Sequence, residues 1–231
     1  MKVNLLALAS VVALASSAHA DFTIIQKVEG MGSATEIVMK VKGDKIRVEA
    51  TPDATTIVQG KSGEVITLLN AKKKFIRMSA DALKAVAELA TKYGGDTAEK
   101  MKLTSTGKKM TINGYEAEEF VAETKLFKAS YWIAPGFPDS DVIMKQLQAV
   151  VPTALNDLAK GLMDYRDLPG FPLRTHVKTG DQEITSTVVT VKRDALSDAE
   201  FVPPKDFQEM KMPNMLDVST EKTAPAPSAK P

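Results

Sequence analysis

From Phe22 to Met78 the chain alternates short runs of β-branched and aromatic residues with turn formers. Phe22–Val28, Glu36–Lys42, Lys45–Glu49, Thr55–Gln59, Glu64–Leu69 and Lys74–Met78 each read as a strand. Gly43-Asp44 and Gly60-Lys61-Ser62-Gly63 mark turns between them. The spacing is that of an antiparallel meander, because parallel βαβ units need crossover connections of about a dozen residues or more. Further on, Asn113-Gly114 sits between two strand-like runs and suits a two-residue type I′ turn, in which both central residues take positive φ. That turn fixes a register: Ile112 faces Tyr115, Thr111 faces Glu116, Met110 faces Ala117 and Lys109 faces Glu118. Met110, Ile112, Tyr115 and Ala117 then form a dry side, and Lys109 and Glu118 a wet one. Phe127–Ile133 is the next strand, stopped by Pro135-Gly136. Leu173–Lys178 and Glu183–Lys192 flank a Thr179-Gly180-Asp181 turn, the second being rich in Thr and Val.

Two stretches break the strand rhythm. Ala80–Tyr93 carries Leu83, Val86, Ala87 and Ala90 at helical spacing and stops at Gly94-Gly95. Asp139–Met163 carries Ile143, Leu147, Val150, Val151, Ala154, Leu155 and Leu158 as one apolar stripe, with Asp139 or Ser140 available to cap it. Pro152 falls inside this stripe. Proline removes a backbone donor and clashes with the preceding turn, so the pattern predicts two short helices or one bent near Val150.

The two ends of the chain read differently. Lys2, an apolar run over Val3–Ala15 and Ala18-His19-Ala20 fit a signal peptide cleaved before Asp21. That run is too short for a membrane span, which needs about 20 residues. Residues 214–231 are polar and proline-rich, as expected of a disordered tail. Between them, residues 21–213 form one domain. The expected location is the periplasm, with secretion beyond the outer membrane as the alternative, and the protein is not expected to be integral to a membrane.

The chain has no cysteine, so disulfides, thiol catalysis and cysteine-based metal sites are absent from it. Net charge is +1 and becomes formally neutral once Lys2 is removed. No polybasic cluster stands apart from nearby acids, which argues against nucleic acid as a partner.

Candidate chemistry is sparse. His19 leaves with the leader, so His176 is the one imidazole of the mature chain, and it sits in a strand pattern. A zinc site would need several such ligands. There is no Gly-x-Ser-x-Gly elbow. Gly60-Lys61-Ser62-Gly63 joins strands rather than opening a helix, so it is no phosphate cradle. Asp164 and Asp167 lack the twelve-residue calcium-loop pattern. These readings point away from an enzyme, and no cofactor is implied.

What remains is apolar. Trp132 lies in a strand, and the tetrapeptide Pro-Gly-Phe-Pro occurs twice, at 135–138 and 169–172, on either side of the long helical stripe. Such rigid corners suit a helix clamped over a sheet as a lid. Phe137 and Phe171 read equally as core plugs. Ten methionines of the mature chain add adaptable apolar surface.

Met39–Val48, Thr56–Leu68, Gly107–Glu116, Trp132-Ile133-Ala134, Gly170–Arg174 and the closing Met210-x-Met-Pro213 resemble, in that order, the exported bacterial family DUF4412. The likeness covers about Phe22 to Pro213. Members often have cysteine where Ala117 stands, so any role of that thiol is missing here. The family in turn resembles the periplasmic lipoprotein carriers LolA and LolB. The resemblance implies an α+β fold: a large curved antiparallel sheet forming a half-open β-barrel, with helices covering the concave face where acyl chains bind. No carrier site residue transfers to this chain. The expected function is non-enzymatic binding of a hydrophobic ligand, a lipid or the acyl chain of a lipoprotein, on that concave face. Trp132, Phe137, Leu147, Val150, Val151 and Phe171 are the candidate lining. The alternative is a protein-interaction or structural envelope module with a filled core and an envelope protein as partner. A pocket above roughly 300 Å³ lined by Trp132, Leu147, Val150 and Val151 would favour the carrier over the module.

Overall fold

The structure, a computed structural model, describes residues 21–30, 33–94, 102–123, 128–150 and 167–211. The expected leader, Val151, the expected bend near Pro152, Asp164 and the expected tail lie outside the described residues. Six strands come first: β1 (Phe22–Gly30), β2 (Ser33–Lys42), β3 (Lys45–Thr51), β4 (Ala54–Gln59), β5 (Glu64–Leu69) and β6 (Lys74–Met78). After helix α1 (Ala80–Gly94) come β7 (Thr104–Ile112), β8 (Tyr115–Glu123) and β9 (Lys128–Ile133). Helix α2 (Ser140–Val150) precedes β10 (Pro172–Thr179), β11 (Gln182–Lys192) and β12 (Gln208–Met210).

All twelve strands belong to one sheet, in the order β12-β6-β5-β4-β3-β2-β1-β11-β10-β9-β8-β7. The chain therefore grows outward from β1. One meander runs β1 to β6, and a second runs from the far edge at β7 back to β11, which pairs with the other side of β1. The two edges, β12 and β7, do not pair with each other, so the sheet is open.

The expectation of a wholly antiparallel sheet needs one correction. β12 runs parallel to β6, with Gln208 opposite Lys74 and Met210 opposite Ile76. A parallel partner requires a crossover, and residues 193–207 supply it by crossing one face of the sheet before reaching its edge.

Side-chain alternation builds two apolar layers. Phe22, Val41, Ile46, Val58 and Val65 are successive cross-strand partners from β1 to β5. All are buried in one large cluster that also holds Leu83 of α1 and Ile143, Met144, Leu147 and Val150 of α2. Both helices thus pack on this layer. Gly60 lets α2 come close: a Cβ there would lie 3.2 Å from the Val150 Cα and 2.8 Å from the Asp44 carbonyl oxygen. The intervening positions of β4 to β6 face the other way. Ile57, Ile66, Leu68 and Phe75 pair across those strands and form a second cluster with Leu196 and Phe201.

That second cluster exists because the 193–207 segment straps across it. Ser197 and Glu200 close a capping box around a short 3-10 turn, Asp198–Phe201. Cations of β2 and β3 hold the strap. Lys40 Nζ lies 2.6 Å from Glu200 Oε2, Lys45 Nζ 3.1 Å from Asp198 Oδ1, and Arg47 Nη1 donates to the Glu200 carbonyl at 2.9 Å. The strap and β12 carry isolated apolar residues among polar ones, a pattern with no period to read.

The hairpin register matches the sequence reading at all four pairs. Asn113 and Gly114 have φ of 50° and 85°, both positive as a type I′ turn requires. On its wet side Lys109 binds Glu116 at 2.9 Å, diagonally, rather than its facing residue Glu118, which accepts from Ser105.

No helix among the described residues is long and apolar enough to cross a membrane.

Candidate functional site

The hairpin tip leans back over the sheet. Asn113 Nδ2 donates to the Val188 carbonyl of β11, and Arg174 Nη1 of β10 reaches Met110 Sδ of β7 at 3.9 Å. In a flat sheet β8 and β11 would stand about 14 Å apart, three spacings of ~4.8 Å. The sheet is therefore strongly curled at this end. A register shift between β1 and β11 at Ile25/Gln26 leaves Val189 without a partner on β1 beside the contact, and such bulges add twist and bend.

Under the tip lies a cavity of about 390 Å³. Its walls are Asn113 and Tyr115 from the hairpin, Phe137, Pro138 and Asp139 from the loop before α2, and Ile143 of α2. Residues 188–191 of β11 and Arg193 complete it. Aromatic rings stack along one wall. Tyr115 meets Phe137 edge-on, with centroids 5.1 Å apart, and Phe137 lies 5.7 Å from Phe171 at a tilt of 34°. The two Pro-Gly-Phe-Pro corners are thus in contact. Ser140 Oγ reinforces them by accepting from the Phe171 N–H at 3.1 Å. Gly170 permits the approach, since a Cβ there would sit 3.0 Å from Ile133 Cγ2.

One ion pair marks the rim. Arg193 Nη2 and Nε both donate to Asp139 Oδ2, at 2.6 Å and 2.9 Å. Asp139 has φ of 58°, a left-handed conformation that Asp and Asn tolerate better than most residues. Its carbonyl takes the first helical bond, from Ile143 N–H at 2.9 Å. Its carboxylate, however, goes to Arg193 and not to a cap.

The candidate lining is dispersed. Phe137 lines the cavity. Leu147, Val150 and Phe171 are core residues, at most 3% exposed. Trp132 is half-buried against the same core. The cavity is therefore walled by a different set from the one foreseen under α2. The hairpin contact had a sequence signal, the Asn-Gly turn. The Asp139–Arg193 pair had none, because nothing in the spacing of 139 and 193 announces that β11 ends beside α2.

His176 does not line this cavity. Its Nδ1 is 2.9 Å from Thr185 Oγ1, and its Nε2 is 3.9 Å from Glu183 Oε2. Both neighbours are on the adjacent strand β11, one directly opposite and one diagonal, as cross-strand packing dictates. Among the described residues no group of three or more His, Cys, Asp or Glu could hold a metal ion.

The model of the domain of unknown function DUF4412 matches residues 22–207. The chain belongs to this family. No curated protein matches the DUF4412 chain by sequence. Among solved structures it is similar to PNGF-II, at 14% identity and a TM-score of 0.44, over 87% of this chain and 32% of that one. It is also similar to MucB in complex with MucA(peri), at 9% identity and a TM-score of 0.40, over 83% of this chain and 56% of that one. A third is a DUF1329 family protein from Desulfovibrio piger, at 11% identity and a TM-score of 0.32, over 81% and 91%. The DUF4412 chain spans about a third of the length of PNGF-II and little over half of MucB. Likenesses this loose leave its function to its own geometry.

Proposed function

We propose that this chain is an exported, non-enzymatic binding protein that takes the apolar part of a lipid or of an acylated partner into the cavity beneath the hairpin tip. The curled sheet end and Ile143 of α2 line that space, which is half open to solvent. Its volume of about 390 Å³, between walls that are about half apolar and include Tyr115, Phe137, Val188 and Val191, is the observation that carries the reading, since ligand pockets start near 300 Å³. Each buried methylene contributes roughly 0.8 kcal/mol, so binding requires no catalytic group.

A second reading, a protein-interaction or structural envelope module, has an observation in its favour. Leu147, Val150 and Phe171 fill the space beneath α2 with the protein's own side chains. Docking along the β7 edge is disfavoured, however. Its bulge turns the Gly107 and Lys108 N–H groups onto Ser105 Oγ and Thr106 Oγ1, at 3.1 Å and 3.2 Å, and so blunts the edge.

Native mass spectrometry of protein purified gently from its own envelope, followed by organic extraction, tests the proposal. A bound mass that extracts as an acyl lipid is expected. An unliganded mass with an empty extract overturns the binding function and favours the module.

A further inference from the structure

The charged rim of the cavity restricts which amphiphile it accepts, an inference that rests on the cavity being a ligand site. Asp139 and Arg193 are the two charged residues in its wall among the described residues. Their side chains are 50% and 35% exposed, so the pair stands at the solvent boundary. Nη2 and Nε of Arg193 converge on a single oxygen, Asp139 Oδ2. A guanidinium has five N–H donors. The remaining Arg193 donors have no acceptor among the described residues. They are available at the mouth, but the charge that would attract an anion is already neutralised. A free carboxylate or phosphate head would meet Asp139 at the same distance range as Arg193. An uncharged carbonyl would take the spare donors without that repulsion. Tyr115, Thr190 and Asn113 place neutral polar groups in the same walls, suited to hydroxyls of an uncharged head.

We propose that the ligand is an acyl ester or amide with an uncharged head, held with its carbonyl on Arg193 and its chain among Tyr115, Phe137, Ile143 and Val188. Asp139 is then a specificity residue: it occupies the guanidinium and turns free fatty acids away. A monoacylglycerol is the smallest ligand of this kind.

The test titrates delipidated, full-length protein with monopalmitoylglycerol and with palmitate at pH 7.5, reading affinity by displacement of a fluorescent acyl probe. The glyceride is expected to bind at least about tenfold more tightly than palmitate, the ratio one hydrogen bond to a charged group supplies. Asp139→Asn frees the guanidinium and suits the left-handed backbone of position 139. It is expected to tighten palmitate about tenfold and leave the glyceride unchanged, reversing the preference. Arg193→Leu is expected to weaken the glyceride about tenfold and palmitate little. Palmitate binding as tightly as the glyceride to the unaltered protein, or an unchanged ratio in Asp139→Asn, overturns the head-group assignment while the cavity stands. Failure of both lipids and of the probe overturns the cavity as a site, and the assignment with it.

Discussion

The rings of Phe137 and Phe171 lie 5.7 Å apart, which joins the two Pro-Gly-Phe-Pro corners that flank the helical stripe in sequence. The chain leaves the sheet at one corner and re-enters it at the other, and α2 begins from their contact. A helix tied this way is held at its base, close to the cavity wall.

Phe171 is 2% exposed and Phe137 half-buried, so their truncations should differ in cost. Phe171→Ala is expected to lower unfolding free energy by about 3–5 kcal/mol, and Phe137→Ala by about half that. Because the rings touch, the double variant should fall short of the sum by about 0.5–1.5 kcal/mol in urea denaturation. Strict additivity would show that the corners do not support each other.

The curl of the sheet end depends on Asn113. Glycine at 113 keeps the positive φ but loses the bond to the Val188 carbonyl, so Asn113→Gly should cost about 0.5–1.5 kcal/mol. Asn113→Ala loses the same bond and adds about 1–2 kcal/mol of left-handed backbone strain. Thermal unfolding of the pair should therefore rank unaltered protein, glycine, then alanine. An alanine variant as stable as the glycine one would mean that the turn has relaxed into another type.

Legibility in the sequence followed the range of the interactions. The β4, β5 and β6 boundaries and the Asn113-Gly114 register are local matters of period two and turn chemistry, and both were readable. The sheet order was only half readable. A meander predicts neighbours, yet nothing in β1 or β11 states that Thr23 faces Lys192 across most of the chain. The strap was unreadable for a related reason. Leu196, Phe201 and Phe207 recur without a period in a mostly polar segment, and they acquire meaning only from Ile57 and Ile66 on the face of a sheet already formed. The same holds for the site. Phe137 was nominated from its motif and does line the cavity, whereas Arg193 enters it by topology alone.

The strap should respond to acid. Lys45 and Lys42 hold the Asp198 carboxyl below its ordinary 3.8 by hydrogen bond and charge. A hydrogen bond from Lys40 holds Glu200 below 4.5, against the opposing effect of partial burial, and one from Lys73 holds Asp206 below its ordinary 3.8. A carboxylate whose pKa is depressed by folding stabilises the fold at pH above its unfolded value. That contribution disappears as pH falls through the lowered, folded value. Strap protection in hydrogen exchange should thus hold from neutrality to about pH 5 and decline below about pH 4. Asp198→Asn with Glu200→Gln should flatten the dependence. A profile equally steep in that variant would place the acid sensitivity elsewhere.

Gln146 points to a cost carried within α2. Its side-chain nitrogen and oxygen are both buried without a partner among the described residues, on a helix that packs Ile143, Leu147 and Val150 into the core. Water satisfied this amide in the unfolded chain, and its burial unpaired forfeits about 1–3 kcal/mol. Methionine has similar length and flexibility and no polar group to desolvate. Gln146→Met is therefore expected to raise the unfolding free energy by about 1–3 kcal/mol in urea denaturation. Gln146→Glu should lower it, because a charge would be buried where the amide has no hydrogen-bond partner among the described residues. The opposite result for methionine, a loss of similar size, would mean that the amide is satisfied in solution by a water or ligand group. Its burial beside Leu147 would then mark a second polar foothold under the helix.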